Sequence, residues 1–91
     1  MSIFESLTKL HFPDTFFVEY VDGTREMLNR GDGVTLTRPD DDPDGIGYLF
    51  ALLPKKHPRN QKQLGRGVGF TELQAIYDKG GNRLWSSDAL S

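Results

Sequence analysis

Several groups of residues have the type and spacing to do chemistry. Asp40-Asp41-Asp42-Pro43-Asp44-Gly45 reads D-x-D-x-D-G. Alternate carboxylates followed by a turn glycine resemble the first half of a calcium loop, where they converge on one cation. The twelfth position of such a loop should supply a bidentate glutamate; here it is Ala51. The expectation is therefore an acidic turn and no metal. His11 and His57 are the only histidines, and neither is joined by a set of His, Asp or Glu at ligand spacing. No activated serine, threonine or cysteine accompanies them.

The stretch Lys55-Lys56-His57-Pro58-Arg59-Asn60-Gln61-Lys62-Gln63-Leu64-Gly65-Arg66 is the most suggestive element. Lys55, Lys56, Arg59, Lys62 and Arg66 are the five charged residues between positions 45 and 71, and all five are basic. Residues 1–44 hold ten acids and four bases, so the net charge of -2 hides a strong asymmetry. A cationic block on an exposed connection suits an anionic partner, either an acidic protein surface or nucleic-acid phosphates. No aromatic lies inside the block, so base stacking would need Tyr48, Phe50 or Phe70 beside it.

Glu19 and Glu26 face each other if Asp22-Gly23 closes a two-residue hairpin. Two carboxylates in contact can divide their pKa values and do acid–base work, though on the outside of a hairpin they are ordinarily solvated. Gly65-x-Gly67-x-Gly69 lacks the Gly-Lys-Ser/Thr of a phosphate loop. It reads instead as a strand with one side-chain-free face, open to close approach by another element or a ligand.

The elements that must position these groups follow from local chemistry. Ser2 with Glu5 forms a capping box ahead of Ile3, Phe4, Leu7 and Leu10, which predicts a short helix over residues 3–10. Phe16 to Val21 and Thr24 to Leu28 predict a hairpin through Asp22-Gly23, with Val18 opposite Met27. Val34 to Thr37 reads as a half-buried strand, and residues 38–45 as an exposed acidic loop. Ile46 to Leu53 is apolar at odd and even positions alike, which predicts a central strand covered on both faces and closed by Pro54. Residues 55–64 are expected as an exposed basic loop and residues 87–91 as a frayed tail. Between them, residues 71–78 suit either of two elements: a helix carrying Leu73, Ile76 and Tyr77 and capped by Thr71 with Gln74, or, favoured by the Gly-Gly turn, a hairpin in which residues 74–77 and 83–86 pair across Lys79-Gly80-Gly81-Asn82, with Trp85 buried.

At 91 residues, with 36% hydrophobic and 26% charged residues, the chain is expected to form one small globular domain. With no cysteine, disulfides and thiolate metal sites are excluded and a reducing, cytoplasmic setting is expected. No apolar run reaches the ~18 residues of a membrane span, and residues 1–10 lack the basic start of a signal peptide. The turn spacing predicts a mainly β fold: a small antiparallel, curled or barrel-like sheet of five or six strands with a short N-terminal helix, similar to SH3-like or Sm-like architecture. The function expected is a non-enzymatic interaction module with a protein partner and no cofactor. Weak single-stranded RNA or DNA binding through residues 55–66 is the alternative, and an enzyme with an acidic site comes behind it.

Overall fold

In a computed structural model, the described residues are 2–56, 59 and 63–90; of 55, 56, 89 and 90 only the backbone is described. The helix expected at the start is α1, Ile3–Thr8, and the Ser2 hydroxyl caps it by accepting the Glu5 N–H at 3.1 Å. Leu7 turns fully inward from this helix. Seven strands follow: β1 (Thr15–Tyr20), β2 (Arg25–Asn29), β3 (Thr35–Thr37), β4 (Tyr48–Lys56), β5 (Gln63–Gly69), β6 (Leu73–Asp78) and β7 (Arg83–Ser86). All pairings are antiparallel, and the sheet curls into a half-barrel. β2 and β3 lie one after the other along the same side of β4, while β5 takes its other side. Seven strands therefore fill six positions, and the mainly β, curled sheet with one short helix is as expected.

Side chains alternate across a strand, so the curl has an inner and an outer face. The inner face buries Phe16 and Val18 of β1, Leu28 of β2, Leu49 and Ala51 of β4, Val68 of β5, Ile76 of β6 and Trp85 of β7. Trp85 is 8% exposed, and its indole N–H donates to the Ser6 hydroxyl at 2.8 Å, tying the last strand to the helix. The C-terminal hairpin pairs Ile76 with Trp85, as its Gly-Gly turn suggested.

The first hairpin differs by one residue from the sequence expectation. Val18 pairs with Glu26 and Glu19 with Arg25. The turn has three residues, Val21-Asp22-Gly23. Tyr20 N–H donates to Thr24 C=O at 2.8 Å and Gly23 N–H to Tyr20 C=O at 2.9 Å. Gly23 sits at φ 91°, the left-handed conformation that closes a three-residue turn and that other residues adopt at a cost. The shift moves Glu26 to the inner face and leaves Glu19 outside, so the facing carboxylate pair does not exist.

Two further expectations change. Pro54 does not close its strand. The β4–β5 register shifts between Leu52 and Lys56, so the residue without an N–H sits in an irregularity and the ladder resumes at Lys56 with Gln63. The 55–64 loop is correspondingly shorter: residues 55 and 56 complete β4, residues 63 and 64 begin β5, and the rest of it apart from Arg59 lies outside the described residues. The tail is not frayed over its length either, since Ser87–Leu90 forms a 3-10 turn in contact with β6 and β7.

Because Trp85 joins the last strand to both core and helix, Trp85→Ala should cost about 3–5 kcal/mol and Ser6→Ala about 0.5–1.5 kcal/mol. Urea denaturation measures both. A Trp85→Ala loss below about 1 kcal/mol would contradict this packing.

Candidate functional site

Two places on the sheet gather functional side chains, and both involve β5. The first is polar. Glu26, turned inward by the three-residue hairpin, accepts a hydrogen bond from the Tyr20 hydroxyl at 2.7 Å and an ion pair from Arg66 Nε at 2.9 Å. Arg66 Nε also reaches the Tyr20 oxygen at 3.5 Å. Burial is the first cause that pushes the Tyr20 phenol above its usual value; the Arg66 hydrogen bond works against it and Glu26 with it. Arg66 is raised in turn by its Tyr20 contact. Tyr20 and Arg66 border a cavity of about 320 Å³ lined also by Val21, Asp22, Thr24 and Glu72. A phenol held protonated and a guanidinium already matched to a carboxylate make a closed polar network, which fixes the strands that contribute to it.

The second place is apolar and lies on the outer face of the β4–β5 hairpin. Tyr48, Phe50 and Leu52 stand opposite Gly69, Gly67 and Gly65. The glycine lane is therefore covered from the neighbouring strand. A Cβ added to Gly65 would collide with the tip of the Phe50 ring, and one on Gly67 would meet the same ring at 3.8 Å. An aromatic laid over a glycine of the adjacent strand restores packing that the glycine cannot supply. Phe50 stays 46% exposed nonetheless, so β4 is not covered on both faces as its sequence suggested. Along β5, Leu64, Gly65, Arg66 and Gly67 are exposed one after another, on both faces of the strand. Among the described residues β5 pairs with β4 alone, so its other edge carries no partner strand.

Of the basic block, the structure describes Arg59, Arg66 and the backbone of Lys55 and Lys56. Lys55 and Lys56 end β4, their side chains lying outside the described residues, as does Lys62. Arg59 is exposed in the connecting turn. Arg66 belongs to β5 and faces Glu26, so it is a strand residue with a matched charge and not part of a loop. An exposed aromatic does share the hairpin with the block, and that aromatic is Phe50.

The acidic loop has become a turn. Pro39–Asp41 forms a 3-10 segment, and the Asp42 carboxylate accepts the N–H groups of Ile46 and Gly47 at 3.0 and 3.2 Å. Among the described residues no three His, Asp or Glu gather as metal ligands, and no helix is long and apolar enough to cross a membrane. His11 is exposed, and His57 lies outside the described residues.

No protein-family model, characterised protein or solved structure matches the chain. Its function is thus argued from these two sites alone. Sequence reasoning missed both for one reason each. The Tyr20–Glu26–Arg66 network depends on a register that a two-residue turn would have placed differently. Phe50 was hidden in a run apolar at every position, although the alternate glycines opposite it did signal an uncovered face.

The raised phenol has a measurable consequence. Its folded pKa exceeds the ordinary 10.0, so its contribution to stability is complete below pH 10.0 and is lost as pH rises through the folded value. In an alkaline absorbance titration, Tyr20→Phe should remove a phenol that ionises above 10.0. Loss of a phenol that ionises at or below 10.0 would contradict the network.

Proposed function

We propose that the chain is a non-enzymatic interaction module that docks a protein partner on the outer face of its β4–β5 hairpin. The observation that carries this reading is Phe50: a large apolar ring, 46% exposed, held over side-chain-free Gly65 beside a strand edge that has no partner strand among the described residues. Exposed aromatics on rigid strands are efficient anchors, because they bring large area at little entropic cost. The polar network at Arg66 supports the same reading from the other side, since its charges are matched to one another and keep the hairpin in place. The sheet order, with β6 returning to pair with β1, supports an SH3-like or Sm-like small barrel, a scaffold whose uses are set by its loops and edges and not by the fold. The lack of cysteine supports a cytoplasmic setting.

Weak single-stranded nucleic-acid binding is the second reading. It is favoured by one exposed aromatic on the hairpin that also carries Lys55 and Lys56. It ranks lower because Arg25, Arg30 and Arg66 are all in ion pairs and the chain as a whole is acidic.

Selection from a displayed library of random nine-residue peptides tests the first reading. Wild-type protein should enrich binders with Kd on the order of 10–100 µM that lose at least tenfold on Phe50→Ala, a substitution expected to cost the fold less than about 1.5 kcal/mol. No enrichment, or binders indifferent to Phe50→Ala, would overturn it. Short single-stranded RNA and DNA, titrated at two salt concentrations against wild type and the Lys55→Glu, Lys56→Glu double variant, test the second. Absent binding at low salt, or binding unchanged by both substitutions, removes it.

A further inference from the structure

We propose that the chain carries a modification site at Asp32-Gly33, where the backbone rearranges spontaneously to an isoaspartyl linkage. This is independent of the docking reading. The chain holds three Asp-Gly steps: Asp22-Gly23, Asp32-Gly33 and Asp44-Gly45. Each has the groups the reaction needs. The glycine amide nitrogen attacks the aspartate Cγ, the carboxyl hydroxyl and the amide proton leave as water, and a succinimide ring closes. Water then opens the ring. Opening at the α carbonyl routes the main chain through the side-chain carbonyl, with no net change in mass and no reagent besides water. Glycine favours the step because no side chain shields its nitrogen and its backbone turns freely. The fold decides which of the three reaches that geometry, since the carboxyl must swing and the glycine N–H must leave its hydrogen bond.

Two of the three are held. The Asp22 carboxylate accepts the Thr24 hydroxyl at 2.6 Å and the Thr24 N–H at 2.9 Å. These bonds, the hydroxyl's first, keep its pKa below the usual aspartate value, so it resists the protonation that makes a carboxyl reactive. Gly23 N–H is itself bound to Tyr20 C=O at 2.9 Å. At Asp44 the backbone is pinned on both sides. Pro43 restricts it before, Gly45 N–H donates to Asp42 C=O at 2.9 Å, and the Asp42 carboxylate holds the N–H groups of Ile46 and Gly47 beyond. Asp32 has neither restraint. It is exposed between Gly31 and Gly33, and among the described residues its carboxylate accepts no hydrogen bond and joins no ion pair. Gly33 N–H makes one longer bond, 3.1 Å to Arg30 C=O, and the space around its α carbon is open. The rearranged backbone is one carbon longer between β2 and β3, just before Thr35 begins the pairing of β3 with β4.

Timed incubation of the whole protein in warm, near-neutral buffer, with and without urea, tests this. Chymotrypsin, cutting after Tyr20, Leu28, Leu36 and Tyr48, leaves the three steps on separate peptides, 21–28, 29–36 and 37–48. The isoaspartyl form of each separates by chromatography at unchanged mass. In urea all three steps should rearrange, and each site's rate there serves as its own reference, which cancels the effect of neighbouring residues. The ratio of folded to unfolded rate at Asp32 should exceed the ratios at Asp22 and Asp44 at least threefold. Asp32→Glu keeps the charge but would need a larger ring, so it should remove the 29–36 product. Its amide NMR spectrum outside the β2–β3 connection should match wild type, which separates a lost reaction from a changed fold. A margin below threefold, a higher ratio at Asp22 or Asp44 than at Asp32, or a 29–36 product that persists in Asp32→Glu would each overturn the inference.

Discussion

The ring of Phe50 occupies the space above Gly65 that any other residue would fill with its own side chain. That exclusion decides what the hairpin presents to solvent. It holds the aromatic down on one side, leaves the opposite side exposed, and leaves β5 nearly bare along its outer face. Gly65 weakens its strand in itself, having no side chain to pack and more conformational freedom to lose. The neighbouring ring offsets part of that loss. The same strand pairs with β4 on one edge and, among the described residues, has no partner strand on the other.

The rest of the molecule stabilises this arrangement from behind. Val68, on the inner face of β5, is fully buried in the core that runs through Leu49, Leu28, Val18 and Ile76 to Trp85. Arg66, one turn of the pleat away, reaches across the inner side to Glu26 and Tyr20. Apolar burial at one end of β5 and a charge-assisted network along its middle give a strand exposed on both faces a defined position. An edge held this way can accept a partner strand with less ordering cost than a flexible one.

Much of the fold was legible in the residues, and the failures have physical causes. The capping box at Ser2, the apolar stripe after it, and the two glycine-containing turns marked the helix and both hairpins. Asp22-Gly23 could end either a two- or a three-residue turn, because Tyr20 and Val21 are equally suited to a strand. Only the backbone hydrogen bonds separate the two, and the choice moves Glu26 from one face to the other. Ile46 to Leu53 was apolar throughout, and composition cannot tell a covered face from a docking face because both use the same residues. Pro54 marked an irregularity and not an end, since antiparallel pairing can skip one missing N–H and resume. The basic block was plain in the sequence. That one of its members is a strand residue matched to Glu26 could not be read without the register.

The proton chemical shifts of the glycines in β5 test the central claim most directly. Protons above or below an aromatic ring are shifted upfield by its ring current. If Phe50 lies across Gly65, the α protons of Gly65 resonate well upfield of those of Gly33, which stands in open space, and return toward ordinary values in Phe50→Leu. Gly65 α protons at ordinary values in the wild type, unchanged by Phe50→Leu, would mean that the ring does not cover the lane, and the account of the hairpin as a docking edge would be wrong.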